Sequence, residues 1–425
     1  MQVTVYPSVI KGALNAPASK SMTQRAIAAA VLSKGKNVIQ RASVCDDALA
    51  ALHIAEALGA TVVRNNTTFT ITGNFSAEAG TVLPCNESGL CMRMFAPIAA
   101  LLSEPVVLTG EASLRNRPAH MVTEVLTQLG ALCTANEGDG ALPITIKGPI
   151  KGGNITVDGY QTSQLLTGLL MALPLLGEDS EITAVNLTSK SYVDMTIQLL
   201  RQFGVLIRKE REGFYKIRGR QRYAPQTYVV EGDWSGAAFL LVAAVLKGDV
   251  TIYNLYGNSK QPDSALLKIL TLVGANIVVN EQDIQVTSIP PALKSFQFDA
   301  SGCPDLFPPL VALAAYCHGV SVIYGADRLK IKESDRALTL QEEFSKLGVR
   351  IELIDNSLKI HGGLPIQGGV TVAAHNDHRI AMALAVAALA AENALTIDGA
   401  ECVNKSYPDF FSDLKALKAE VKTDS

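Results

Sequence analysis

The hydrophobic pattern of this chain repeats. An apolar residue, a glycine, a small or β-branched residue and then a strand recur as EALGATVV (Gly59), TQLGALCT (Gly130), RQFGVLIR (Gly204), TLVGANIV (Gly274) and SKLGVRIE (Gly348), at intervals of 71, 74, 70 and 74 residues. Glycine is the expected residue just past a helix C-terminus, because the left-handed backbone there brings it no side-chain clash. A sixth copy, KALKAEV near position 419, lacks its glycine. A fixed period of this length marks a repeat architecture.

Each repeat opens on an Ala/Leu-rich helix: AIAAAVLS, MFAPIAALLS, LLTGLLMALPLL, AAFLLVAAVL, LVALAAYC and IAMALAVAALAA. These are apolar on every side, so each is expected to be buried all round. A short strand follows (VVLTG, VTIYN, LTIDG), then an amphipathic helix such as DRALTLQEEFSKLG, then two strands around a turn, as in ATVVRNNTTFTITGN. The pattern is read as a βαββαβ unit in a mixed sheet, giving an α/β fold of two similar domains with three units each. The sixth unit is short of its final strands, while the chain opens on an unattached one: VTVYPSVIKGALNAPASKS at 3–21 compares closely with ITIKGPIKGGNITVDGYQTSQ at 144–164. The N-terminal strand is therefore expected to complete unit six. Units one to three become an inserted domain over 18–229, with 1–17 and 230–425 forming the other. The chain would cross twice, near 15–20 and 225–232, a hinge suited to closing on a ligand.

The 425 residues suffice for two or three domains. A net charge of −3 gives no reason to expect nucleic acid or an anionic membrane as partner. The run IAMALAVAALAA at 380–391 falls short of the ~18–20 residues a spanning helix needs. MQVTVYPSVI alternates like a strand and lacks the order of a signal peptide. The seven cysteines form no CxxC pair, and of the six histidines only His375 and His378 lie close together, with no third ligand spaced to join them. A reducing cytoplasm and no metal are expected.

Charge then adds a phase to the repeat. Residues that break the apolar pattern gather at two places: the start of the apolar helix (PASKSMTQR, NESGLCMR, QTSQ, GDWSGAA, CPDLFPP, HNDHR) and the start of the amphipathic one (RNRPAH, TSKSYVD, GNSKQPD, RLKIKESDR, VNKSYPD). Helix N-termini carry unpaired amide donors and a partial positive charge, which favour anions. Lys20, Arg25, Arg93, Arg115, Arg117, Lys330, Lys332, Arg336, Arg379 and Lys405 add formal charge there. Ser, Asp and Asn at helix starts can be ordinary caps, and GDWSGAA, GNSKQPD and Asp194 are read equally well that way. Cations at a positive helix end are disfavoured unless an anion offsets them, so RLKIKESDR and NDHR point to a cleft that binds small polyanions. Such cations would repel across an unfilled cleft, and the unliganded form is expected to be open.

At these residues the sequence resembles the enolpyruvyl transferase family, closest to its branch that acts on shikimate 3-phosphate. PASKSMTQRA matches the family's Lys-Ser-x-x-x-Arg loop. RNRP, TSQ, GDWSGAAF, PDLFPPLVALAA, RLKIKESDR, NDHRIAMA and the Lys405 loop follow in family order over essentially the whole chain. The resemblance implies two domains of three units, no cofactor, a monomer, and transfer of enolpyruvyl from phosphoenolpyruvate to the 5-hydroxyl of shikimate 3-phosphate, on the route to chorismate and the aromatic amino acids. It implies that Lys20 touches both substrates and that Ser21, Arg25, Thr162, Ser163, Gln164, Ser189, Tyr192, Arg328, Lys332 and Asp305 hold shikimate 3-phosphate. Gly89, Arg117, Gln164, Arg336, Arg379 and Lys405 then face phosphoenolpyruvate. Asp305, Glu333, Lys20 and Lys332 are the implied catalytic groups, with Asp305 on the attacking hydroxyl and Glu333 shuttling a proton at C3.

Three departures stand out. Glu87 and Leu90 replace the family's amide and hydroxyl in the loop that contacts phosphoenolpyruvate and its competitor glyphosate; Thr162 stands where serine is usual; Arg328 stands where asparagine is frequent. They are read as variation within a working enzyme. The sister enzymes that use a UDP-sugar are the nearest alternative, but they carry a lysine–asparagine pair where this chain has Lys20-Ser21, and Cys91 in its CMR context reads as a small buried residue. A non-catalytic scaffold is disfavoured because Lys20, Asp305, Glu333, Arg336 and Arg379 are all present. A nucleic-acid-binding ring is disfavoured because no basic stripe runs outside these loops.

Overall fold

The computed structural model describes residues 1–115, 117–135, 142–160, 162–288, 293–330 and 332–424. Asn116, Gln161 and Ile331, which belong to three of the charged motifs, lie outside the described residues.

Parallel strands cannot be joined by a tight turn, and four of the six described parallel pairs are bridged by an apolar helix, while the other two join strands far apart in the chain. The sheet built on Asn154–Asp158 is representative. That edge strand runs parallel to Ser180–Val185 with Ile155 opposite Ile182, and Phe214–Ile217 and Ile207–Arg211 complete the sheet in antiparallel order. Ile155, Val157, Ile182, Ala184, Tyr215 and Ile217 are buried and their neighbours are not, so one face carries the core. Six such four-stranded sheets occur among the described residues. Along the chain the elements run β-α-β-α-β-β, which corrects the βαββαβ order read from sequence. A single strand separates the two helices, because the amphipathic helix returns into a hairpin whose two strands follow each other directly.

The chain divides into two compact units, Met1–Pro17 with Glu231–Ser425, and Ala18–Val230. The second boundary falls one residue beyond the 229 expected, because Thr227–Val229 runs parallel to Val38–Gln40 and the Val230 amide donates to the Gln40 carbonyl at 2.9 Å. Gln2–Val5 lies between Leu395–Asp398 and Val421–Asp424, antiparallel to both, and so fills the sixth sheet. One of the final strands thought missing from unit six, Val421–Asp424, is therefore present. Ile10–Asn15 pairs in parallel with Gly248–Tyr253, so the strand that precedes the first apolar helix in sequence belongs to the fourth sheet.

The six apolar helices are Lys20–Leu32, Gly89–Ala99 and Gln164–Ala172 in one unit, and Trp234–Lys247, Phe307–Tyr316 and His378–Leu389 in the other. Each is buried over nearly its whole length, as their uniform apolarity requires. Burial of side chains such as Leu165, Leu166, Leu169 and Leu170 contributes about 2 kcal/mol apiece. Backbone contact between helices depends on Gly168, where a Cβ would sit 2.4 Å from the Met94 carbonyl oxygen. No described helix is long and apolar enough to cross a membrane.

The repeated glycines end the amphipathic helices as their spacing predicted. Gly59, Gly130, Gly204, Gly274 and Gly348 have φ between 80° and 93°. Each closes a two-bond cap, for example Gly348 to the Ser345 carbonyl at 3.0 Å and Val349 to the Phe344 carbonyl at 3.0 Å. In the sixth unit Lys418 adopts the same conformation at φ 73° with the same pair of bonds.

Candidate active site

Four of the apolar helices follow the edge strand of their own sheet, so their starts fall at the C-terminal ends of the parallel strands, the usual place for a ligand in open α/β sheets. Lys20–Leu32 and Trp234–Lys247 instead follow strands that belong to the other unit. In the Ala18–Val230 unit the polar residues ahead of the apolar helices are wired together. Lys20, the first residue of its helix, pairs with Asp47 at 2.9 Å. Gln24 is buried and its Nε2 donates to the Asp47 carbonyl at 3.0 Å and to Ser88 Oγ at 2.8 Å. Ser88 caps the next helix by accepting from the Cys91 amide. One residue on, Gly89 leaves room for two guanidinium groups: a Cβ there would lie 2.9 Å from both Arg117 Nη1 and Arg93 Nη1, and 3.7 Å from Gln164 Oε1. Arg93 donates to that Gln164 oxygen at 3.0 Å.

The rest of this set surrounds Arg25, whose side chain is 1% exposed. Its Nε donates to Thr196 Oγ1 at 3.0 Å, Nη1 to the Ser21 carbonyl at 2.9 Å and Nη2 to Thr167 Oγ1 at 3.4 Å. Burial lowers this guanidinium to about 10, against the opposing influence of Tyr192 and Tyr228. Thr162 Oγ1 accepts from the Gln164 amide at 3.1 Å, while Ser163 and Ser189 are buried at the starts of their helices. The carbonyl of Tyr192 accepts from Thr196 Oγ1 at 2.9 Å. Glu87 accepts from Ser113 Oγ at 3.0 Å, and that hydroxyl in turn accepts from Arg117 at 3.5 Å, so the substituted carboxylate is linked to a candidate clamp residue. Leu90 is buried. Arg115 falls outside the set: it is exposed and donates to the Gly110 carbonyl.

In the unit of 1–17 and 231–425, Asp305 is the hub. Its Oδ1 meets Lys332 Nζ at 3.5 Å and Arg336 Nη1 at 3.0 Å, and its Oδ2 meets Arg379 Nη2 at 3.1 Å. Arg336, almost wholly buried, also donates to Asp377 and Glu333. Lys405 Nζ reaches the Asn376 carbonyl at 2.8 Å, and Arg328 donates to the Ser301 carbonyl. Arg379 Nη1 is buried with no hydrogen-bond partner among the described residues. Lys330, by contrast, is exposed and paired with Asp327 at 2.8 Å. The anions thought necessary to offset these cations are thus in part the protein's own carboxylates.

The crowding shifts protonation. Burial pushes the Asp305 carboxyl up, but Arg379, Lys332 and Arg336 outweigh it and hold the group well below the usual carboxylate range. Burial lowers Lys332 to about 8; Asp305 opposes that fall, while Arg336 and Arg328 add to it. Burial also acts on Arg336, yet Asp377, Glu333 and Asp305 raise it above its ordinary value. Nearby, Asp263 accepts a hydrogen bond from Ser235, and its other oxygen is buried without a partner among the described residues. Burial, then Asp305, pushes this carboxyl up to about 7.

Four acidic or amide residues of these sets were not foreseen: Gln24, Asp47, Asp263 and Asp377. The signal for Asp47 was an acidic pair opening an amphipathic helix, which looks the same as an ordinary first-turn charge. A cavity of about 530 Å³ lined by residues such as Glu181, Leu206, Arg208 and Lys216 contains none of the site residues.

Comparison with known proteins agrees with this architecture. The chain matches NikO, an enolpyruvyl transferase from Streptomyces tendae, with a TM-score of 0.81 at 18% identity over 99% of this chain and 98% of that one, a likeness of fold. The fold is that of the enolpyruvyl transferases. More narrowly, the chain belongs to the EPSP synthase (3-phosphoshikimate 1-carboxyvinyltransferase) family, whose sequence model matches residues 6–414. A 3-phosphoshikimate 1-carboxyvinyltransferase of Methanocorpusculum labreanum is 38% identical over 99% of this chain and 100% of its own length. The EPSP synthase structure from Acinetobacter baumannii matches with a TM-score of 0.83 at 27% identity, covering 99% of this chain and 100% of that one.

Proposed function

We propose that this chain transfers the enolpyruvyl group of phosphoenolpyruvate to the 5-hydroxyl of shikimate 3-phosphate, releasing phosphate. The observation that carries the reading is Asp305 gripped by Lys332, Arg336 and Arg379. Such a carboxylate is a poor base while three cations hold it. When the carboxylate and phosphate of phosphoenolpyruvate take over the arginine donors, its partners are drawn away and its proton affinity rises. It can then accept the hydroxyl proton as the oxygen attacks C2, while C3 is protonated. The resulting tetrahedral ketal phosphate loses a proton from C3 and phosphate from C2.

In this reading Arg117, Arg336, Arg379 and Lys405 bind phosphoenolpyruvate, with bidentate guanidinium geometry matching its planar anionic faces. Lys20 contacts both substrates, and Gly89 and Gln164 shape the space beside Arg117. Ser21, Arg25, Thr162, Ser163, Gln164, Ser189, Tyr192 and Arg328 bind shikimate 3-phosphate. The burial of Arg25 among Thr167, Thr196 and the Ser21 carbonyl supports a role in shaping that pocket as well as in contact. Glu333 moves the C3 proton beside Lys332. The protein acts as a cytoplasmic monomer, and its seven unpaired cysteines fit a reducing compartment.

Phosphate release from phosphoenolpyruvate by the purified protein, with and without shikimate 3-phosphate, tests this. Release that depends on shikimate 3-phosphate is expected; protein that binds both compounds yet releases none would sink the proposal.

A further inference from the structure

Arg336, Arg379 and Lys405 all depend on one short segment, 373–377. Asp377 takes Arg336 through Nε at 2.8 Å and Nη2 at 3.2 Å, and caps the helix that carries Arg379 by accepting from the Arg379 amide at 3.0 Å. Lys405 is bonded to the Asn376 carbonyl at 2.8 Å. Within the segment His375 and Asn376 are both left-handed, with φ of 51° and 55°. Two successive non-glycine residues in that region persist only where their surroundings hold them.

Glu343 supplies that hold. It lies seven residues after Arg336 on the same helix, Arg336–Lys346, and its side chain is fully buried. Its carboxylate accepts from the Ala373 amide at 2.9 Å, from His375 Nε2 at 2.6 Å and from Lys346 Nζ at 2.7 Å. One carboxylate thereby ties the end of the strand Thr371–Ala373 and the turn after it to the helix that begins with Arg336. Glu342 lies beside this group, close enough for the three to suggest a metal, but Lys346 already reaches both carboxylates, at 2.7 and 3.7 Å, and takes the cation's place.

We infer that Glu343 and His375 are positioning residues of the anion clamp, keeping segment 373–377 in register with the helix Arg336–Lys346 so that Arg336, Arg379 and Lys405 engage one phosphoenolpyruvate. The inference rests on the assignment of those three cations made above. Neither residue bonds to Arg336, Arg379 or Lys405 itself. Their effect is on the affinity of the clamp, not on the chemistry.

Steady-state rates with each substrate varied in turn test this for Glu343→Gln, His375→Ala and His375→Gln, beside Arg379→Gln as reference. Glu343→Gln and His375→Ala are expected to raise KM for phosphoenolpyruvate about five- to tenfold, the size of one ordinary hydrogen bond, with KM for shikimate 3-phosphate and kcat nearly unchanged. His375→Gln retains a donor toward Glu343 and is expected to restore the KM. Equal increases in both KM values would mark general loosening and overturn the inference, as would no change in either. The exposed His375 keeps the test decisive even if Glu343→Gln does not fold. If Arg379→Gln raises KM for phosphoenolpyruvate while the other variants do not, only the positioning role fails; if Arg379→Gln changes nothing, the clamp assignment falls with it.

Discussion

Arg336 and Asp377 form a buried two-point pair, Nε to Oδ2 at 2.8 Å and Nη2 to Oδ1 at 3.2 Å, with side chains 1% and 0% exposed. Desolvating two charges is costly, so such a pair adds little net stability, but removing one partner strands the other. Arg336 retains Asp305 and Glu333, which softens the loss. Asp377→Ala is therefore expected to destabilise the fold by about 3 kcal/mol, at the low end for a broken buried pair. A denaturant midpoint shifted by much less would mean that Asp305 and Glu333 alone suffice for Arg336.

Gly89→Ala separates packing from backbone strain. The position opens the helix Gly89–Ala99 and is not among the left-handed glycines, so alanine is compatible with its backbone. The added methyl, however, would meet Arg93 Nη1 and Arg117 Nη1 at 2.9 Å. Both are ends of flexible side chains, so the helix is expected to survive while the arginines shift. KM for phosphoenolpyruvate should rise about tenfold or more, a displacement of ~1 Å being enough for that, with the melting temperature nearly unchanged. An unchanged KM would remove Arg117 from the clamp.

The period of the glycines and the all-round apolarity of six helices made the repeat legible in the sequence, because both reflect local constraints that recur in every unit. The charged motifs marked the helix starts for the same reason. What a charge does at its helix start was not legible. KSYVD and KSYPD occupy the same phase of units three and six, yet Lys190 is exposed while Lys405 is buried and bonded to Asn376. Arg115 and Lys330 share the phase of Arg117 and Lys332 but turn away from the sets. Carboxylates such as Asp47, Asp263 and Asp377 pair across 27 to 41 residues of sequence, distances that no local pattern encodes.

With the role proposed for it, Lys332 is expected to set an alkaline limit on activity. Its folded value of about 8 lies below the ordinary 10.5, chiefly through burial. The unfolded chain therefore binds more protons between those values, and this residue's contribution makes the fold more stable as pH rises across that window. Activity runs the other way, since the uncharged amine no longer attracts anionic substrates. The value of kcat/KM for shikimate 3-phosphate is expected to fall as pH rises through about 8. Lys332→Arg keeps its charge and should carry that fall to higher pH; an initial-rate profile identical to the parent's would assign the limit to another group.

Asp263 gives the opposite dependence on the stability side. Its folded value of about 7 lies above the ordinary 3.8, because burial and then Asp305 disfavour the carboxylate, with Arg379 opposing. Its stabilising contribution is complete below 3.8 and is lost as pH rises through about 7. Asn has nearly the same shape, can still accept from Ser235, and does not ionise. Relative to the parent, Asp263→Asn is thus expected to gain stability as pH rises across this window, on the order of 4 kcal/mol in all. Denaturant titrations at the two ends of the window measure the difference, and parallel curves would contradict the assignment.

Lys418 is the one repeat cap built without glycine. Its φ of 73° matches the five glycines, and its amide and that of Ala419 make the same bonds, to the Lys415 and Leu414 carbonyls at 2.9 Å each. A lysine in this conformation costs ~1 kcal/mol relative to glycine, less the greater chain entropy that glycine loses on folding. The side chain is exposed, so no burial offsets this cost. Lys418→Gly should therefore raise stability by a few tenths of a kcal/mol while leaving phosphate release unchanged, since the position follows the helix Phe410–Ala416 and is not one of the assigned site residues. A lowered melting temperature would mean that Lys418 makes a contact in solution worth more than the strain it carries.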